Sequence, residues 1–341
     1  MKWFSLLLVA LVTVTVVTRI SRASDPAARL SPASPLQSSS WHRLAAPADW
    51  RGDYFTDIDL TSADEGWAVG TLATAHYIDA AWHTVTTPYS RTLSAIDMVS
   101  PSDGWAVGDR GTILRYQNGE WSLASSPTTK YLRAIAMVSP TDGWSLGEDG
   151  VILHYTGGSW QSTISPTKNW LEAVDMISPT DGWAVGSNAA ILHYVNGTWQ
   201  IVEEHLGWGS LTDVDMVSPT DGWAVGDGGI IIHYDGSSWR EMASPTDEQL
   251  LTIAMVTSTY GWAGGAGLLR YEDGTWQDTA IPDNCSDDGL VASITMLSAD
   301  EGWAVGSCNM ILHYFSESLQ LRDGVSATHS RSFLPYLLSR R

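Results

Sequence analysis

Five histidines occupy one equivalent position in different copies of a repeated unit, and imidazole is a common protein ligand for transition metals. They are His76, His154, His193, His233 and His313, with Arg115 and Arg270 at the same position of two further copies. Zinc ligands must all lie about 2.0–2.1 Å from one ion. Because each histidine belongs to a separate copy, we expect no such convergence. We interpret these residues as repeat-consensus side chains that form hydrogen bonds within or between the repeats, and the sequence predicts no metal centre.

Carboxylates also recur at fixed places. Aspartate stands at one position of the first strand in four copies, as Asp59, Asp97, Asp175 and Asp215, with Ala136, Ala254 and Thr295 in the others. If these first strands surround a central channel, their aspartates could form a ring that holds a cation or waters. Half-buried aspartates that accept backbone hydrogen bonds are the commoner arrangement. Acidic residues also precede most Gly-Trp pairs, where a turn explains them: Glu65, Asp103, Asp142, Asp181, Asp221 and Glu301. Residues 283–289 are similar to the start of a calcium loop, but the glutamate expected at its twelfth position is missing.

The residues that the repeat does not require are better candidates for a function. They gather before the first strands of the repeats, and the candidates are Trp50, Arg51, Tyr54, Tyr89, Arg91, Tyr131, Arg133, Trp170, Glu172 and Trp208. Exposed aromatic side chains beside arginines are typical of recognition surfaces. These would suit a peptide segment or a sugar ring, whereas the alternative is that several pack down onto a channel mouth.

The repeated unit determines where these residues lie. A Gly-Trp pair recurs at regular steps of 38 to 41 residues, with tryptophan at Trp67, Trp105, Trp144, Trp183, Trp223, Trp262 and Trp303. Each copy holds four short runs rich in Val, Ile, Leu, Tyr and Trp, bounded by Gly, Pro and Asp, which indicates strands. Seven copies of four strands predict an all-β fold, a seven-bladed β-propeller with four-stranded antiparallel blades.

A second tryptophan opens the fourth strand of six copies, but Leu319 replaces it in the seventh. An unpartnered copy at Trp41 precedes the first repeat. We therefore expect residues 41–45 to supply the outer strand of the last blade, which would leave no open sheet edge between the two ends of the array. The competing interpretation is that residues 318–321 form this strand and Trp41 packs elsewhere.

The two ends of the chain differ from the repeats. Residues 1–23 have Lys2, an apolar run and a small-x-small site, which is typical of a cleaved export signal rather than a retained anchor. Residues 24–40 form a Ser/Pro-rich linker, residues 41–321 the propeller and residues 322–341 a tail with basic residues around an apolar core. This organisation predicts a protein that is secreted or at the cell surface. The tail is similar to short tails of some exported bacterial proteins; the alternative is a frayed terminus or a strand that lies on the ring.

The formal net charge is −20, which argues against nucleic acid and anionic membranes as partners. Both cysteines, Cys285 and Cys308, fall in the seventh repeat. Their connections emerge on the same face of a propeller, so an oxidising compartment would favour a disulfide between them. We expect a monomer that has no cofactor.

The repeat reads Asp-Gly-Trp-Ala-Val-Gly, then Ile-Leu-His-Tyr, then Asp/Asn-Gly-x-Trp, and it resembles the propeller family of the photosystem II assembly and stability factors. The turn before the second tryptophan, as at 235–239, is similar to a degenerate Asp-box of sialidase-like propellers. The resemblance implies a non-catalytic propeller that binds a protein partner. This chain departs from the family's basic patch, because it has few arginines and an acidic excess.

A glycan-binding or sialidase-like glycan-cleaving propeller is the alternative. A sialidase-like mechanism would need several arginines that bind a carboxylate of the substrate, and Arg51, Arg91 and Arg133 are available. It would also need a tyrosine nucleophile, such as Tyr89 or Tyr131, with Glu172 or Glu203 as its base. An acidic surface opposes an anionic substrate. Motifs of zinc proteases and of phosphate-binding glycine loops do not occur. The sequence therefore favours a non-enzymatic scaffold that binds a protein through one loop face.

Overall fold

The computed structural model describes residues 40–47, 50, 54–71, 74–89, 91–203, 207, 209–282 and 289–315. These residues form seven four-stranded antiparallel sheets arranged as the blades of a propeller. The predicted fold class is therefore confirmed. The predicted export signal, the linker up to residue 39 and the C-terminal tail lie outside the described residues.

The first four blades use strands β2 to β17 in chain order. Blade 1 is β2 (Phe55–Ser62), β3 (Glu65–Gly70), β4 (Thr74–Ile78) and β5 (Ala81–Val85). Blade 2 is β6 (Leu93–Ser100), β7 (Asp103–Gly108), β8 (Ile113–Gln117) and β9 (Glu120–Leu123). Blade 3 is β10 (Leu132–Ser139), β11 (Asp142–Gly147), β12 (Ile152–Thr156) and β13 (Ser159–Thr163). Blade 4 is β14 (Leu171–Ser178), β15 (Asp181–Gly186), β16 (Ala190–Val195) and β17 (Thr198–Glu203).

The last three blades bring the two ends of the array together. Blade 5 is β18 (Leu211–Ser218), β19 (Asp221–Gly226), β20 (Ile231–Tyr234) and β21 (Trp239–Glu241). Blade 6 is β22 (Leu250–Thr257), β23 (Tyr260–Gly265), β24 (Leu268–Glu272) and β25 (Thr275–Thr279). Blade 7 is β26 (Val291–Ser298), β27 (Glu301–Gly306), β28 (Met310–Phe315) and, as its outer strand, β1 (Ser40–Arg43). Four 3₁₀ turns, Asp109–Gly111, Glu148–Gly150, Ser187–Ala189 and Asp227–Gly229, join second to third strands.

The N-terminal strand closes the last blade, as the sequence predicts. β1 pairs antiparallel with β28, and Trp41 lies opposite Tyr314. The innermost strand of blade 1 packs against the innermost strand of blade 7, so the ring is complete. The competing strand, residues 318–321, lies outside the described residues.

Buried tryptophans form the contacts between neighbouring blades. The second-strand tryptophan of each blade meets the fourth-strand tryptophan of the next blade edge to face, as in Trp105 and Trp160 at 5.5 Å and 89°. Aromatic pairs prefer this geometry, and each contributes about 0.5–1.5 kcal/mol beyond the area it buries. Seven such pairs around the described ring join each blade to its neighbours.

The repeated histidines are part of this packing. His154 stacks on Trp144 at 4.0 Å and 4° within its own blade, and its Nε2 lies 2.6 Å from an oxygen of Asp142. Four other histidines stack in the same way on the second-strand tryptophans: His76, His193, His233 and His313. The interpretation of these side chains as consensus packing residues is confirmed. The acidic residue of each turn, which we expected only to form the turn, is also the partner of the histidine in most blades.

Glycines at the ends of the second strands let the loops that enter the blades approach closely. A Cβ at Gly147 would lie 1.9 Å from the carbonyl oxygen of Tyr131, and one at Gly186 would lie 1.9 Å from that of Trp170. Because any side chain would collide there, these glycines fix the position of the residues before β10 and β14. In the part of the chain described, no helix has the length and apolar character to cross a membrane.

Candidate binding site at the channel mouth

The seven innermost strands surround an axial channel, and equivalent residues form three rings along it. The mouth ring is Thr56, Ser94, Arg133, Glu172, Thr212, Leu251 and Ala292. The upper ring is Asp57, Ala95, Ala134, Ala173, Asp213, Thr252 and Ser293. The lower ring is Asp59, Asp97, Ala136, Asp175, Asp215, Ala254 and Thr295. A mouth cavity of ≈ 410 Å³ is lined by the first two rings, and a second cavity of ≈ 460 Å³ is lined by the third ring together with Asp57, Asp213, Thr252 and Ser293 of the upper ring.

A shift of register explains why two consecutive residues of each strand line the mouth. In β10 the pairing with β11 shifts between Leu132 and Ala134, and the other innermost strands shift at the same place. Successive side chains of a regular strand point to opposite faces, whereas a bulge re-aims one of them. Arg133 and Ala134 therefore both reach the cavity.

An ion pair crosses the mouth ring between blades 3 and 4. Nε of Arg133 donates to Oε2 of Glu172 at 2.8 Å, with about 43% of the arginine side chain exposed. The two residues hold the same position of consecutive repeats, which is why they meet. Tyr131, 40% exposed, and Tyr54 also line this cavity. The structure thus brings four of the sequence-predicted candidates together at the mouth.

The other candidates lie elsewhere. Trp50 is buried and stacks on Phe55 at 4.0 Å, so its side chain is part of the core of blade 1 and not of an exposed surface. The guanidinium of Arg91 lies over the ring of Tyr89 at 4.8 Å, and neither residue lines the mouth cavity. Trp170 is 40% exposed and also lies outside that cavity.

Arg51 and Trp208 lie outside the described residues. Whether any of the candidate residues binds a partner stays a prediction, because geometry alone tests position and not binding.

Two aspartates of the upper ring, which the sequence analysis missed, connect neighbouring blades. Oδ2 of Asp57 accepts the backbone N–H of Ile96 in blade 2 at 2.8 Å, and its Oδ1 accepts the hydroxyl of Ser293 in blade 7 at 2.7 Å. Asp213 accepts the N–H of Ile253 in blade 6 at 2.8 Å. The sequence could have revealed these two aspartates through their position, because each precedes a lower-ring aspartate of the same repeat by two residues.

The lower-ring aspartates act in the same way. Each accepts a backbone N–H from the innermost strand of the next blade: Asp59 from Met98, Asp97 from Met137, Asp175 from Met216 and Asp215 from Met255, at 2.5 to 2.7 Å. Of the two sequence-based alternatives, the structure shows the backbone acceptors. Among the described residues, no group of three or more His, Cys, Asp or Glu has the arrangement of a metal site.

Burial inside the ring raises the pKa of these carboxyl groups. Loss of hydration raises the pKa of Asp57 and of Asp213 to about 7, although their hydrogen bonds oppose the shift. Burial, with the charge of Asp59 added, raises the pKa of Asp97 to about 8. The channel therefore carries less negative charge near neutral pH than its composition suggests.

Burial also raises the pKa of Tyr54 above its usual range, although the charge of Arg133 opposes the shift. Its phenol is held in the neutral form at the mouth. This favours hydrogen bonding and packing over nucleophilic attack by a phenolate.

Cys308 lies in the turn between β27 and β28 with a φ of 55°. Its predicted partner, Cys285, and the calcium-like segment up to residue 288 lie outside the described residues. The disulfide therefore stays a prediction.

No family model matches this sequence, and no curated protein matches it. The chain is similar to the solved structure "YCF48 bound to D1 peptide", with 20% identity and a TM-score of 0.66, over 84% of this chain and 97% of that one. It is also similar to YCF48 from Cyanidioschyzon merolae, with 17% identity and a TM-score of 0.65, over 82% and 99% of the two chains. A catalytically inactive virginiamycin B lyase from Staphylococcus aureus, with quinupristin, matches at 15% identity and a TM-score of 0.72, over 82% and 99%.

Identities this low establish the β-propeller fold alone. The similar structures include both a peptide-bound propeller and a lyase, so the fold is compatible with binding and with catalysis.

Proposed function

We propose that this chain is a non-catalytic propeller scaffold that binds a protein partner at the channel mouth. The observation that carries the proposal is the cavity of ≈ 410 Å³, which collects two tyrosines, an exposed arginine and polar side chains at one end of the channel. Tyrosine and arginine are enriched among residues that dominate binding energy at interfaces. A cavity of this size accommodates a few residues of a peptide.

Comparison with the peptide-bound propeller gives further support, since a chain of the same fold binds a peptide. The assembly-factor-like role is the finer part of this proposal, and it rests on the resemblance of the repeats. Among the described residues that line the mouth cavity, Arg133 is the one cationic side chain and it is paired with Glu172, so the mouth does not form a basic patch of the kind expected of that family.

The chemistry of the mouth favours binding over catalysis. Glu172 is engaged by Arg133, and Tyr54 is held neutral, so neither is poised as a base or a nucleophile. Of the arginines considered for a carboxylate clamp, only Arg133 is among the described residues that line the cavity. A glycan-binding or glycan-cleaving propeller remains the alternative outcome of the test.

We also propose that the protein acts outside the cytoplasm, as a monomer, after the export signal is removed. The apolar run and the small-x-small site within residues 1–23 support this proposal. N-terminal sequencing of the protein from a secreting host should find the mature start near residue 24. A full-length protein retained in the cytoplasm would contradict it.

Selection from a library of short peptides, both ends blocked, tests the proposed function. The wild-type ring should enrich a set of peptides, and Arg133→Glu should reduce their binding by at least tenfold. Arg240→Glu is the matched control, because Arg240 lies exposed on the outer strand of blade 5, where it pairs with Asp235. Binding unchanged by Arg133→Glu, or binding to a glycan array in place of peptides, would contradict the proposal.

A further inference from the structure

The blades differ in whether a side chain of the upper ring accepts the backbone N–H that follows the ring position. In five blades a side-chain oxygen accepts the backbone N–H of the residue that follows the ring position. Asp57 accepts from Ile58 and Ile96, Asp213 from Val214 and Ile253, and Thr252 from Ile294, at 2.8 to 3.2 Å. These N–H groups therefore point away from the sheet ladder of their own blade.

The two remaining N–H groups belong to Ile135 and Val174. Ile135 has the same register as Ile96, opposite the middle of the second strand, so its N–H also points away from the ladder. By analogy with the other blades, the acceptor for each group would be the upper-ring side chain of the preceding blade. For Ile135 that residue is Ala95 and for Val174 it is Ala134, and neither alanine carries an acceptor. The described residues supply no side-chain acceptor for either group.

The mouth cavity reaches these two residues and stops short of their equivalents. Among the residues that follow the upper ring, Ile135 and Val174 line the mouth cavity, and the other five do not. They lie on adjacent blades, below Arg133 and Glu172. A backbone N–H that lacks an acceptor away from water costs free energy. Ile135 is buried and Val174 half-buried beside the mouth cavity, so their N–H groups can take an acceptor from a ligand there.

We propose that the backbone N–H groups of Ile135 and Val174 bind a carbonyl oxygen of the peptide partner, a role that rests on the proposed function. A carbonyl oxygen has two lone pairs and accepts from both donors. The methyl groups of Ala95, Ala134 and Ala173 leave room for it.

The surroundings favour an uncharged carbonyl over a carboxylate. Asp57, Asp109, Glu172 and Asp213 all line the mouth cavity, whereas Arg133 is the one cationic side chain among the described residues that line it. A carboxylate would meet repulsion from those of these groups that are ionised, and a peptide carbonyl avoids it. The partner should therefore place the interior of a peptide, rather than its free C-terminus, in the mouth.

The test uses a pair of isosteric variants of the full chain. Ala95→Thr with Ala134→Thr supplies the missing acceptors, as Thr252 does for Ile294, and Ala95→Val with Ala134→Val adds the same volume without them. The probe is a peptide from the blocked library, enriched on the wild-type ring. The threonine pair should bind it on the order of tenfold more weakly than the valine pair, because its hydroxyls compete for both donors.

Equal binding by the two variants would overturn this inference and leave the proposed function standing. Wild-type protein that binds no blocked peptide would overturn both. Should the variants fail to fold, amide exchange in the wild-type chain decides the matter. The peptide should slow exchange at Ile135 and Val174 by at least tenfold and leave Val214 unchanged, and the absence of that slowing would overturn the inference. A free-acid peptide that binds more tightly than its amide would overturn the preference for an uncharged group.

Discussion

The indole of Trp41 meets the indole of Trp262 edge to face, with ring centroids 5.4 Å apart and ring planes at 85°. Trp41 lies on the N-terminal strand and Trp262 on the second strand of blade 6. The same geometry joins Trp303 of blade 7 to Trp82 of blade 1 at 5.8 Å. The N-terminal tryptophan thus takes the place of the one missing from the seventh repeat, and it completes the ring.

Trp41→Ala should destabilise the ring strongly. The side chain is only 6% exposed, and truncation of a buried tryptophan costs about 3–5 kcal/mol. Thermal unfolding should show a Tm lower by roughly 5–10 °C. Trp170→Ala is the control, because that side chain is 40% exposed and should change the Tm little. Equal shifts in the two variants would contradict the closing role of β1.

Stability should fall as the pH rises from 6.5 to 8.5. The folded-state pKa of Asp57, Asp97 and Asp213 is raised to about 7 or 8, above the unfolded value near 3.8, so their protonated forms favour the folded ring. That stability is complete below pH 4 and is lost as the pH passes the folded pKa. Burial lowers the pKa of His313 to about 4, which opposes the trend only below pH 6.5.

Differential scanning fluorimetry across this range measures the slope. Asp213→Asn should flatten it, because the amide carries no titrating charge, although its single oxygen can accept only one of the two N–H groups of Val214 and Ile253. Asp235→Asn is the control, because hydrogen bonds from Ser237 and Ser238 lower the pKa of Asp235 to about 2, far below the range. A Tm that rises with pH in the wild type would contradict the account.

His154→Ala should lower stability by about 1–3 kcal/mol, because it removes the stack on Trp144 and the hydrogen bond to Asp142. Urea unfolding measures the change. His83→Ala, at an exposed position of β5, should have an effect below about 0.5 kcal/mol. If His154 were instead a metal ligand, a chelator would destabilise the wild-type chain, and we expect it to have no effect.

Gly186→Ala should lower stability by more than about 2 kcal/mol and displace the loop before β14. The added Cβ would collide with the carbonyl oxygen of Trp170 at 1.9 Å, and the backbone has to move. Gly267→Ala provides the comparison, since its Cβ would meet nothing nearer than 3.9 Å. Similar unfolding free energies for the two variants would refute the close approach.

The predicted disulfide can be tested on protein from an oxidising host. Alkylation of the unfolded, unreduced chain should label neither Cys285 nor Cys308, and reduction should make both reactive. Two labelled thiols before reduction would contradict the pairing.

The repeat length, the strand pattern and the unpartnered Trp41 were enough to predict seven blades and their closure. These features follow from local turn chemistry and from a count, which do not depend on side-chain packing. The role of the histidines was also predictable, because separate blades cannot bring them together.

The site was predicted only in part. Position in the repeat could have shown that Arg133 and Glu172 are neighbours, since they are equivalent residues of consecutive blades. The burial of Trp50 against Phe55 depends on a loop that no periodicity describes. The donor pair at Ile135 and Val174 was not visible either, because it arises from backbone geometry together with alanines that looked featureless.

A crystal structure of the ring with an enriched, end-blocked peptide tests the central claim most directly. We predict that the peptide lies in the mouth cavity beside Arg133, with a carbonyl oxygen within hydrogen-bond distance of the backbone nitrogens of Ile135 and Val174. A peptide bound along an outer strand, or on the opposite face of the ring, would contradict the account.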